Sequence, residues 1–315
     1  GRHGRPVPSE AAQALEAARA MASGYALAED GIEGAEGFPV LLSPEKLDAA
    51  AREAVAALKP DLLVSFAYGR IFGPKFLSLF PLGGINIHPS LLPRWRGATP
   101  IPAAILNRDE ESGISIQTLS LKMDQGDILL QTRFPLVGNE TTASLSERVA
   151  GEAPALLESV LERLAAGDRS ARAQDDSAAT LCPLITKEDG HIDWSQSART
   201  IEAMVRAYTP WPLAHTSWEG QGLSILEAAL YDEEPPMAAS AAAGQPAAGE
   251  ISAGQPGLVM GIDKKRGILI QTGDGVLYAR RLHLAARKAL DWQAFANGTR
   301  GFIGSTLGTG GFEGA

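Results

Sequence analysis

The chain has 315 residues, of which 45% are hydrophobic and 21% charged, a composition typical of a globular protein with one large or two ordinary domains. Its formal net charge of −9 argues against a general nucleic-acid binder, and no window approaches the roughly 18 uninterrupted apolar residues of a membrane helix. The single cysteine, Cys182, excludes a disulfide framework, so we expect a cytoplasmic protein without membrane association.

Helix and strand patterns alternate along the first half of the chain, which indicates an α/β layer fold. Short apolar runs predict five strands: 38–42, 61–67, 84–88, 114–121 and 127–136. Helical spacing predicts helices or helical turns at 9–22, 43–60, 72–80, 99–108 and 144–167. The continuous run "DLLVSFA" is typical of a buried strand rather than an alternating surface strand.

The pattern changes after Gly167, where a polar and irregular stretch predicts a linker at 168–190. A predicted helix at 198–209 is followed by six short strands with Gly and Asp turns, which indicate a small β-barrel or sandwich. These strands are 214–220, 223–231, 250–253, 257–263, 267–273 and 276–284. We therefore expect one domain over 1–167 and a second over 191–315.

The stretch "INIHPSLLPRWRG" carries the first chemical signal. Asn86 and His88 project from one face of a predicted strand, because strand side chains alternate, and Pro89 ends that strand. In open α/β sheets, ligands bind at this carboxyl end of the strands. Two N–H donors aimed at one point can stabilise the oxyanion of an acyl transfer, although such a pair is also compatible with a purely structural role.

A carboxylate partner for His88 is expected in the loop "KMDQGD" between two predicted strands. Asp124 is one candidate, either holding the His tautomer or accepting a proton through water; Asp127 is another, with Asp124 then a turn residue. The residues alone leave both open. Cys182 lacks the surroundings of a thiol nucleophile and is interpreted as a small buried residue. The five scattered histidines predict no metal site.

Two motifs together resemble a known family. "GINIHPSLLPRWRGATPI" followed by "MDQGDILLQ" is similar to the folate-dependent formyltransferases, and the similarity covers nearly the whole chain. The segments "KEDGHIDWSQSARTIEAMVRAYTPWPLAH" and "IQTGDGVLYARRLHLAARKALDWQAFANG" resemble the linker and C-terminal domain of the methionyl-tRNA formyltransferases within that family. The resemblance implies a Rossmann-like formyltransferase domain followed by an OB-like β-barrel domain that binds tRNA.

The same resemblance implies the chemistry. The catalytic Asn, His and Asp of the family match Asn86, His88 and Asp124, so the resemblance favours Asp124 over Asp127. Asn86 and His88 would steady the oxyanion as an amine attacks a formyl carbon, and Asp124 would tune His88 and help to move the amine proton. The implied donor is 10-formyltetrahydrofolate, with no metal. The implied acceptor is the α-amino group of methionine on initiator tRNA, for translation initiation.

Two larger groups of residues follow from the resemblance. The folate site is expected at Ser90, Leu91, Leu92, Pro93, Tyr68, Gly69, Arg70, Ile71 and Phe72. Contacts with tRNA are expected from Arg2, Arg5, Arg94, Arg96, Lys264, Lys265, Arg266, Arg280, Arg281, Arg287 and Lys288. Between residues 264 and 300, eight basic residues stand against two acidic ones, a balance that by itself fits a solvated charged face as well as a polyanion-binding one. The resemblance to a tRNA-binding domain favours a phosphate-facing surface.

The family pattern begins with a strand, a Gly-Thr-Pro loop, a helix and a second strand that have no counterpart in this sequence. We expect a chain that starts at Gly1 to fold poorly or to be inactive, because the first strand of a doubly wound sheet is central. Two alternatives remain: a formyltransferase acting on a small amine such as a nucleotide sugar, and an inactive remnant. We expect a monomer, and salt-dependent tRNA binding distinguishes the tRNA enzyme from the small-amine enzyme.

Overall fold

The computed structural model describes residues 46–69, 71–231 and 255–308, together with the backbone of two short antiparallel strands, β1 (Ala26–Ala28) and β2 (Gly31–Glu33). None of the helices in these ranges is long and apolar enough to cross a membrane.

Three predicted elements, at 9–22, 38–42 and 250–253, lie outside the described residues. The expectation for a chain that starts at Gly1 therefore stays a prediction.

One sheet occupies the first half of the chain. Its four strands are β3 (Leu63–Phe66), β4 (Gly84–His88), β6 (Glu111–Thr118) and β7 (Ile128–Pro135). They are ordered β3-β4-β6-β7, with β3 parallel to β4 and the other pairs antiparallel. Because β3 and β4 run the same way, the segments that follow both strands leave the sheet at one edge.

Helices accompany this sheet: α1 (Ala49–Ala57), α2 (Pro74–Leu77), α3 (Pro100–Leu106) and α4 (Thr142–Ala165). The α1 helix begins after Asp48, whose carboxylate accepts the N–H of Ala51 at 3.1 Å. The α4 helix is followed by Gly167, whose φ of +85° is readily adopted only by glycine. The predicted alternation of strands and helices is thus confirmed over the described residues.

The stretch predicted as a linker contains structure of its own. Arg172 exchanges two backbone hydrogen bonds with Ile128 of β7, at 2.8 and 2.9 Å. Further on, β8 (Leu181–Cys182) pairs in parallel with β5 (Arg96–Gly97). One compact unit of the chain contains the four-stranded sheet and runs to Leu184, so residues 168–184 belong to it.

A second unit begins at Ile185 and includes two short earlier pieces, Ile105–Asp109 and Gly138–Thr142. The α5 helix (Ala198–Tyr208) is followed by an antiparallel sheet. Its strands are β9 (Ala214–Trp218), β10 (Gln221–Leu230), β11 (Val259–Asp263), β12 (Gly267–Gln271), β13 (Val276–Leu284) and β14 (Leu290–Asp291). They are ordered β11-β12-β13-β10-β9, with β14 beside β13.

The core of this second unit is apolar and fully buried. Leu223, Ile225, Ile268 and Leu277 have no exposed surface, and α6 (Trp292–Gly298) contributes Phe295 to the same cluster. Burial of side chains of this size stabilises a domain by about 1.5–3 kcal/mol each. The predicted order, an α/β domain followed by a β-rich domain, is confirmed.

Candidate active site

Strand β4 places the two polar residues of the first motif on one face of the sheet. Asn86 and His88 are two residues apart, and their partners across the β4–β6 ladder are Gln117 and Ser115. Gln117 and Ser115 are almost completely buried. The carboxyl end of β4 therefore has a polar face built from two adjacent strands.

The loop between β6 and β7 brings Asp124 to this face. The Nδ2 of Asn86 donates to Oδ1 of Asp124 at 3.4 Å, and the Nδ1 of His88 lies 3.6 Å from the same oxygen. Asp124 has φ +53°, a left-handed conformation that Asp tolerates better than most residues. Asp127, the other carboxylate in the loop, is exposed, and its N–H donates to Oγ1 of Thr118.

The carbonyl of Trp95 determines which ring nitrogen of His88 carries the proton. The Nε2 of His88 lies 2.8 Å from that carbonyl oxygen, which can only accept a hydrogen bond. Neutral His88 is therefore the Nε2–H tautomer, and its Nδ1 faces Asp124 with a lone pair. The sequence interpretation left two roles open for Asp124, holding the tautomer of His88 or accepting a proton through water. The geometry assigns the tautomer to the backbone carbonyl of Trp95, on the loop after β4.

Burial makes the imidazolium form of His88 unfavourable. The side chain is about 5% exposed, and this desolvation lowers the pKa of His88, against the opposing effects of the Asp124 charge and the Trp95 carbonyl. A mostly neutral ring with a free Nδ1 lone pair is a proton acceptor, and the nearby carboxylate stabilises the cation that forms.

Asp124 is held from its other side by the backbone. The N–H of Gly97 donates to Oδ2 of Asp124 at 2.9 Å, while the Nε2 of Gln117 donates to Oδ1 at 2.9 Å. Gly97 has φ +130°, and a Cβ at this position would lie 2.2 Å from the Cys182 carbonyl oxygen. The site thus requires glycine here.

The comparisons with known proteins show which family the chain belongs to. Residues 8–161 match the Formyl transferase family model, and residues 184–300 match the model of the Formyl transferase C-terminal domain. The chain is 47% identical over 279 residues to the methionyl-tRNA formyltransferase of Treponema denticola. The match covers 88% of this chain and 81% of that protein. The chain belongs to the methionyl-tRNA formyltransferase family. The methionyl-tRNA formyltransferase of Pseudomonas fluorescens (strain Pf-5) is 38% identical to this chain, and the match covers 86% of this chain and 79% of that protein.

Solved structures show the same fold at low sequence identity. The methionyl-tRNA formyltransferase from Clostridium thermocellum has a TM-score of 0.52 and 16% identity, over 73% of this formyltransferase and 92% of that chain. HypX from Aquifex aeolicus, solved with tetrahydrofolic acid, has a TM-score of 0.57 and 20% identity. The match covers 80% of this formyltransferase and 41% of the HypX chain.

The residues predicted for folate binding follow β3 and β4 at one sheet edge. The Tyr68 ring stacks on Phe72 with centroids 4.7 Å apart and planes at 6°, and Phe72 is buried. Tyr68 and Ile71 are 42% and 66% exposed, so their apolar surfaces are accessible to a ligand. Gly69 is also exposed, and Arg70 lies outside the described residues.

The segment after β4, residues 90–93, is held by hydrogen bonds from polar side chains of β6 and β7. Ser90 and Leu92 are buried, and the Oγ of Ser90 donates to the Arg94 carbonyl at 2.6 Å. The Oγ of Ser115 donates to the Ser90 carbonyl at 2.6 Å, and the Nε2 of Gln131 donates to the Leu92 carbonyl at 3.0 Å. Leu91 and Pro93 are half-buried.

Sequence reasoning missed Ser115, Gln117 and Gln131. The available signal was the alternation in "ISIQT", which placed two polar residues on one face of a strand that was otherwise apolar. Buried polar side chains of this kind need hydrogen-bond partners, so their presence in a core strand indicates a polar site. Here the partners are the loop after β4 and Asp124.

The two arginines of "PRWRG", Arg94 and Arg96, have different surroundings in the structure. The guanidinium of Arg94 lies 5.5 Å from the centre of the Trp95 ring, and Arg94 is partly exposed. Arg96 differs from the expectation of a tRNA-facing side chain, because it is only 4% exposed and its guanidinium bonds to Gln174 and Asp176. Arg2 and Arg5 lie outside the described residues.

The predicted basic surface of the C-terminal unit is exposed. Its seven residues are Lys264, Lys265, Arg266, Arg280, Arg281, Arg287 and Lys288. The first three form the turn between β11 and β12, and the Nε of Arg280 donates to the Arg266 carbonyl at 3.3 Å, which places Arg280 beside that turn. The Nη1 of Arg281 instead lies 3.6 Å from the Glu227 carboxylate.

Proposed function

We propose that this protein transfers the formyl group of 10-formyltetrahydrofolate to the α-amino group of methionine on initiator tRNA, for translation initiation. The observation that carries the proposal is the convergence of Asn86, His88 and Asp124 at the carboxyl end of β4. The 47% identity to the Treponema denticola enzyme supports the choice of acceptor.

In the proposed reaction, the acceptor amine forms a bond to the formyl carbon and loses a proton. The bond from that carbon to the donor nitrogen breaks, and the donor nitrogen gains a proton. Asn86 has a second amide N–H besides the one directed at Asp124, and we assign it to the formyl oxygen as negative charge develops there. His88 Nδ1 accepts the amine proton, directly or through one water, and Asp124 stabilises the resulting imidazolium.

The geometry changes the role proposed for His88 in oxyanion binding. Its Nε2–H is bonded to the Trp95 carbonyl, so this donor is committed within the loop. We therefore propose Asn86 as the oxyanion donor and His88 as the proton acceptor. Both side chains remain catalytic residues.

Two groups of residues are proposed to bind the folate and the phosphates of the tRNA. Tyr68, Ile71 and the 90–93 segment are proposed to flank the folate, because they follow neighbouring parallel strands at the edge that carries His88. The basic turn Lys264–Arg266 with Arg280 is proposed to contact tRNA phosphates. We further propose that the protein acts as a monomer in the cytoplasm. Size-exclusion chromatography with light scattering tests the oligomeric state.

The first experiment measures formyl-methionine after incubation with 10-formyltetrahydrofolate and methionyl initiator tRNA, followed by deacylation of the tRNA. Because a chain that starts at Gly1 is predicted to fold poorly or to be inactive, the assay is run on the chain as given and again with the family's upstream strand restored. With that strand restored, we expect product from the wild-type protein and from His191→Ala, an exposed histidine of the second unit, but not from His88→Ala. Salt-dependent tRNA binding is measured in parallel. Turnover with an amino-sugar nucleotide and none with the tRNA would instead establish the small-amine alternative.

A further inference from the structure

The carboxylate of Asp124 is the end of a chain of side-chain amides. The Nε2 of Gln117 donates to Oδ1 of Asp124 at 2.9 Å, and this is the oxygen that faces the Nδ1 of His88. Gln117 is 1% exposed, so solvent does not compete for its amide. The hydrogen bond therefore acts on the carboxylate oxygen that is proposed to stabilise the imidazolium form of His88.

Gln174 determines which way the Gln117 amide points. The Nε2 of Gln174 donates to Oε1 of Gln117 at 3.1 Å, and also lies 2.9 Å and 2.7 Å from the carbonyl oxygens of Asp124 and Gly126. Carbonyl oxygens only accept, so Gln174 must direct its NH₂ toward them. Gln117 then directs its oxygen toward Gln174 and its NH₂ toward Asp124.

Arg96 fixes the other end of Gln174. The Nε and one terminal nitrogen of Arg96 donate to Oε1 of Gln174 at 3.0 and 2.9 Å, and the same terminal nitrogen lies 2.7 Å from Oδ1 of Asp176. A guanidinium has donors and no acceptor, so it holds the oxygen of Gln174 and prevents the amide from flipping. The 4% exposure of Arg96 is explained by these bonds.

We propose that Gln117 and Gln174 are positioning residues that, anchored by Arg96, orient the carboxylate of Asp124 and limit the negative charge that it presents to His88. The proposal rests on the proposed function for its consequence in catalysis. Gln174 and Gln117 each direct their oxygen toward a donor and their nitrogen toward an acceptor, so the two amides have a single consistent set of orientations. We refer to these three residues as the amide relay.

Among the described residues, the titratable and charged groups near His88 are few. Asp124 faces Nδ1, and the thiol of Cys182 shares the Trp95 carbonyl with Nε2 at 3.2 Å. Burial raises the pKa of Cys182 to about 11, so this thiol stays neutral while His88 titrates. Arg96 and Asp176 lie beyond the amides.

The test is an NMR titration of the His88 imidazole in the full chain, with His88→Asn used to assign the signal. Removing the Gln117 donor leaves more uncompensated charge on Oδ1, so Gln117→Leu should raise the pKa of His88. Gln117→Glu adds a like charge beside Asp124 and should raise it further, by about one to three pH units. Gln174→Met should give a smaller rise in the pKa of His88, because it leaves the Gln117 donor in place while removing the bonds that orient the Gln117 amide and hold the Asp124 and Gly126 carbonyls.

Gln131→Glu is the matched control. Gln131 is a glutamine of the neighbouring strand that bonds to the Leu92 carbonyl and to Ser115 rather than to Asp124, and Arg172 lies 3.3 Å from its Oε1. This variant adds the same charge to the same sheet and should leave the His88 titration in place. Equal His88 titrations in wild type, Gln117→Glu and Gln131→Glu overturn the proposal. If Gln117→Glu does not fold, the Gln117→Leu and Gln174→Met titrations decide.

Formylation kinetics complete the test. The relay variants should lower kcat about tenfold or more, with KM for both substrates within about twofold of wild type. The pH limb governed by His88 should move to higher pH in Gln117→Leu. Absence of formylation activity when the family's upstream strand has been restored contradicts the proposed function alone, because the imidazole titration still decides the relay. A general loss of packing would change KM and thermal stability but would move neither the NMR titration of His88 nor the pH limb of kcat. That result also overturns the proposal.

Discussion

Gly97 provides the sharpest test of the active-site geometry, through the substitution Gly97→Ala. Its N–H holds Oδ2 of Asp124 at 2.9 Å, and its φ of +130° is one that L residues rarely adopt. The added Cβ would lie 2.2 Å from the backbone oxygen of Cys182, on the paired strand β8. Neither atom is at the end of a flexible side chain, so the two strands must move apart.

The size of the effect follows from that displacement. Relief of the contact requires a movement of roughly 1 Å, which takes the bond from Gly97 to Asp124 beyond hydrogen-bonding distance. A hydrogen bond to a charged group contributes about 1.5–3 kcal/mol, and each 1.4 kcal/mol is a factor of about ten in rate. We expect kcat/KM for formylation to fall about ten- to a hundredfold, and backbone strain of about 1–3 kcal/mol to lower the melting temperature.

The control is Gly151→Ala in helix α4, where glycine is exposed and no atom lies within 4 Å of the added Cβ. This change should leave kcat/KM unaltered and slightly raise thermal stability, by up to about 1 kcal/mol, because alanine favours the helix. A Gly97→Ala protein that is folded and within about twofold of wild-type kcat/KM refutes the reasoning.

Three further predictions follow from the described residues. Burial lowers the pKa of His88 below 6.5, so the folded state binds fewer protons than the unfolded chain below that pH. Stability should therefore be complete above about pH 6.5 and fall on acidification, and thermal melts between about pH 5 and 8 should show a smaller acid loss in His88→Asn. Cys182 is buried with its pKa raised to about 11, so a thiol reagent at neutral pH should label it slowly in native protein and rapidly in denaturant; equal rates contradict the burial. The double variant Lys264→Ala, Lys265→Ala should reduce the slope of log affinity for tRNA against log salt by about 0.7–0.9 for each lost phosphate contact, with an unchanged melting temperature; an unchanged slope places the tRNA elsewhere.

Much of the candidate site was predictable because strand periodicity is a local property. The alternation in "GINIH" placed Asn86 and His88 on one face, and Pro89 marked the end of the strand, without reference to any other part of the chain. The choice between Asp124 and Asp127 was not local, since it depends on how the loop after β6 folds over β4. The structure brings the carboxylate of Asp124 to His88.

The segment 168–184 shows the limit of sequence reasoning most clearly. Its polar, irregular composition predicted a linker, yet Gln174 bonds to the Asp124 carbonyl and Cys182 bonds to the Trp95 carbonyl. Irregular backbone has no periodic signal, and its polar side chains are indistinguishable from solvated ones until their partners are known. Gln174 lies 50 residues from Asp124, so only tertiary folding creates that contact.

The sequence by itself determined the order of helices and strands, the pairing of an α/β domain with a β-rich one, and the shared face of Asn86 and His88. These features depend on spacing over a few residues, which the backbone geometry of helices and strands imposes. Tertiary structure alone decided the tautomer of His88, the hydrogen bond from Gly97 to Asp124 and the burial of Arg96. Each of those results from a hydrogen bond or contact between separate segments, whose energy depends on distances that no local pattern encodes.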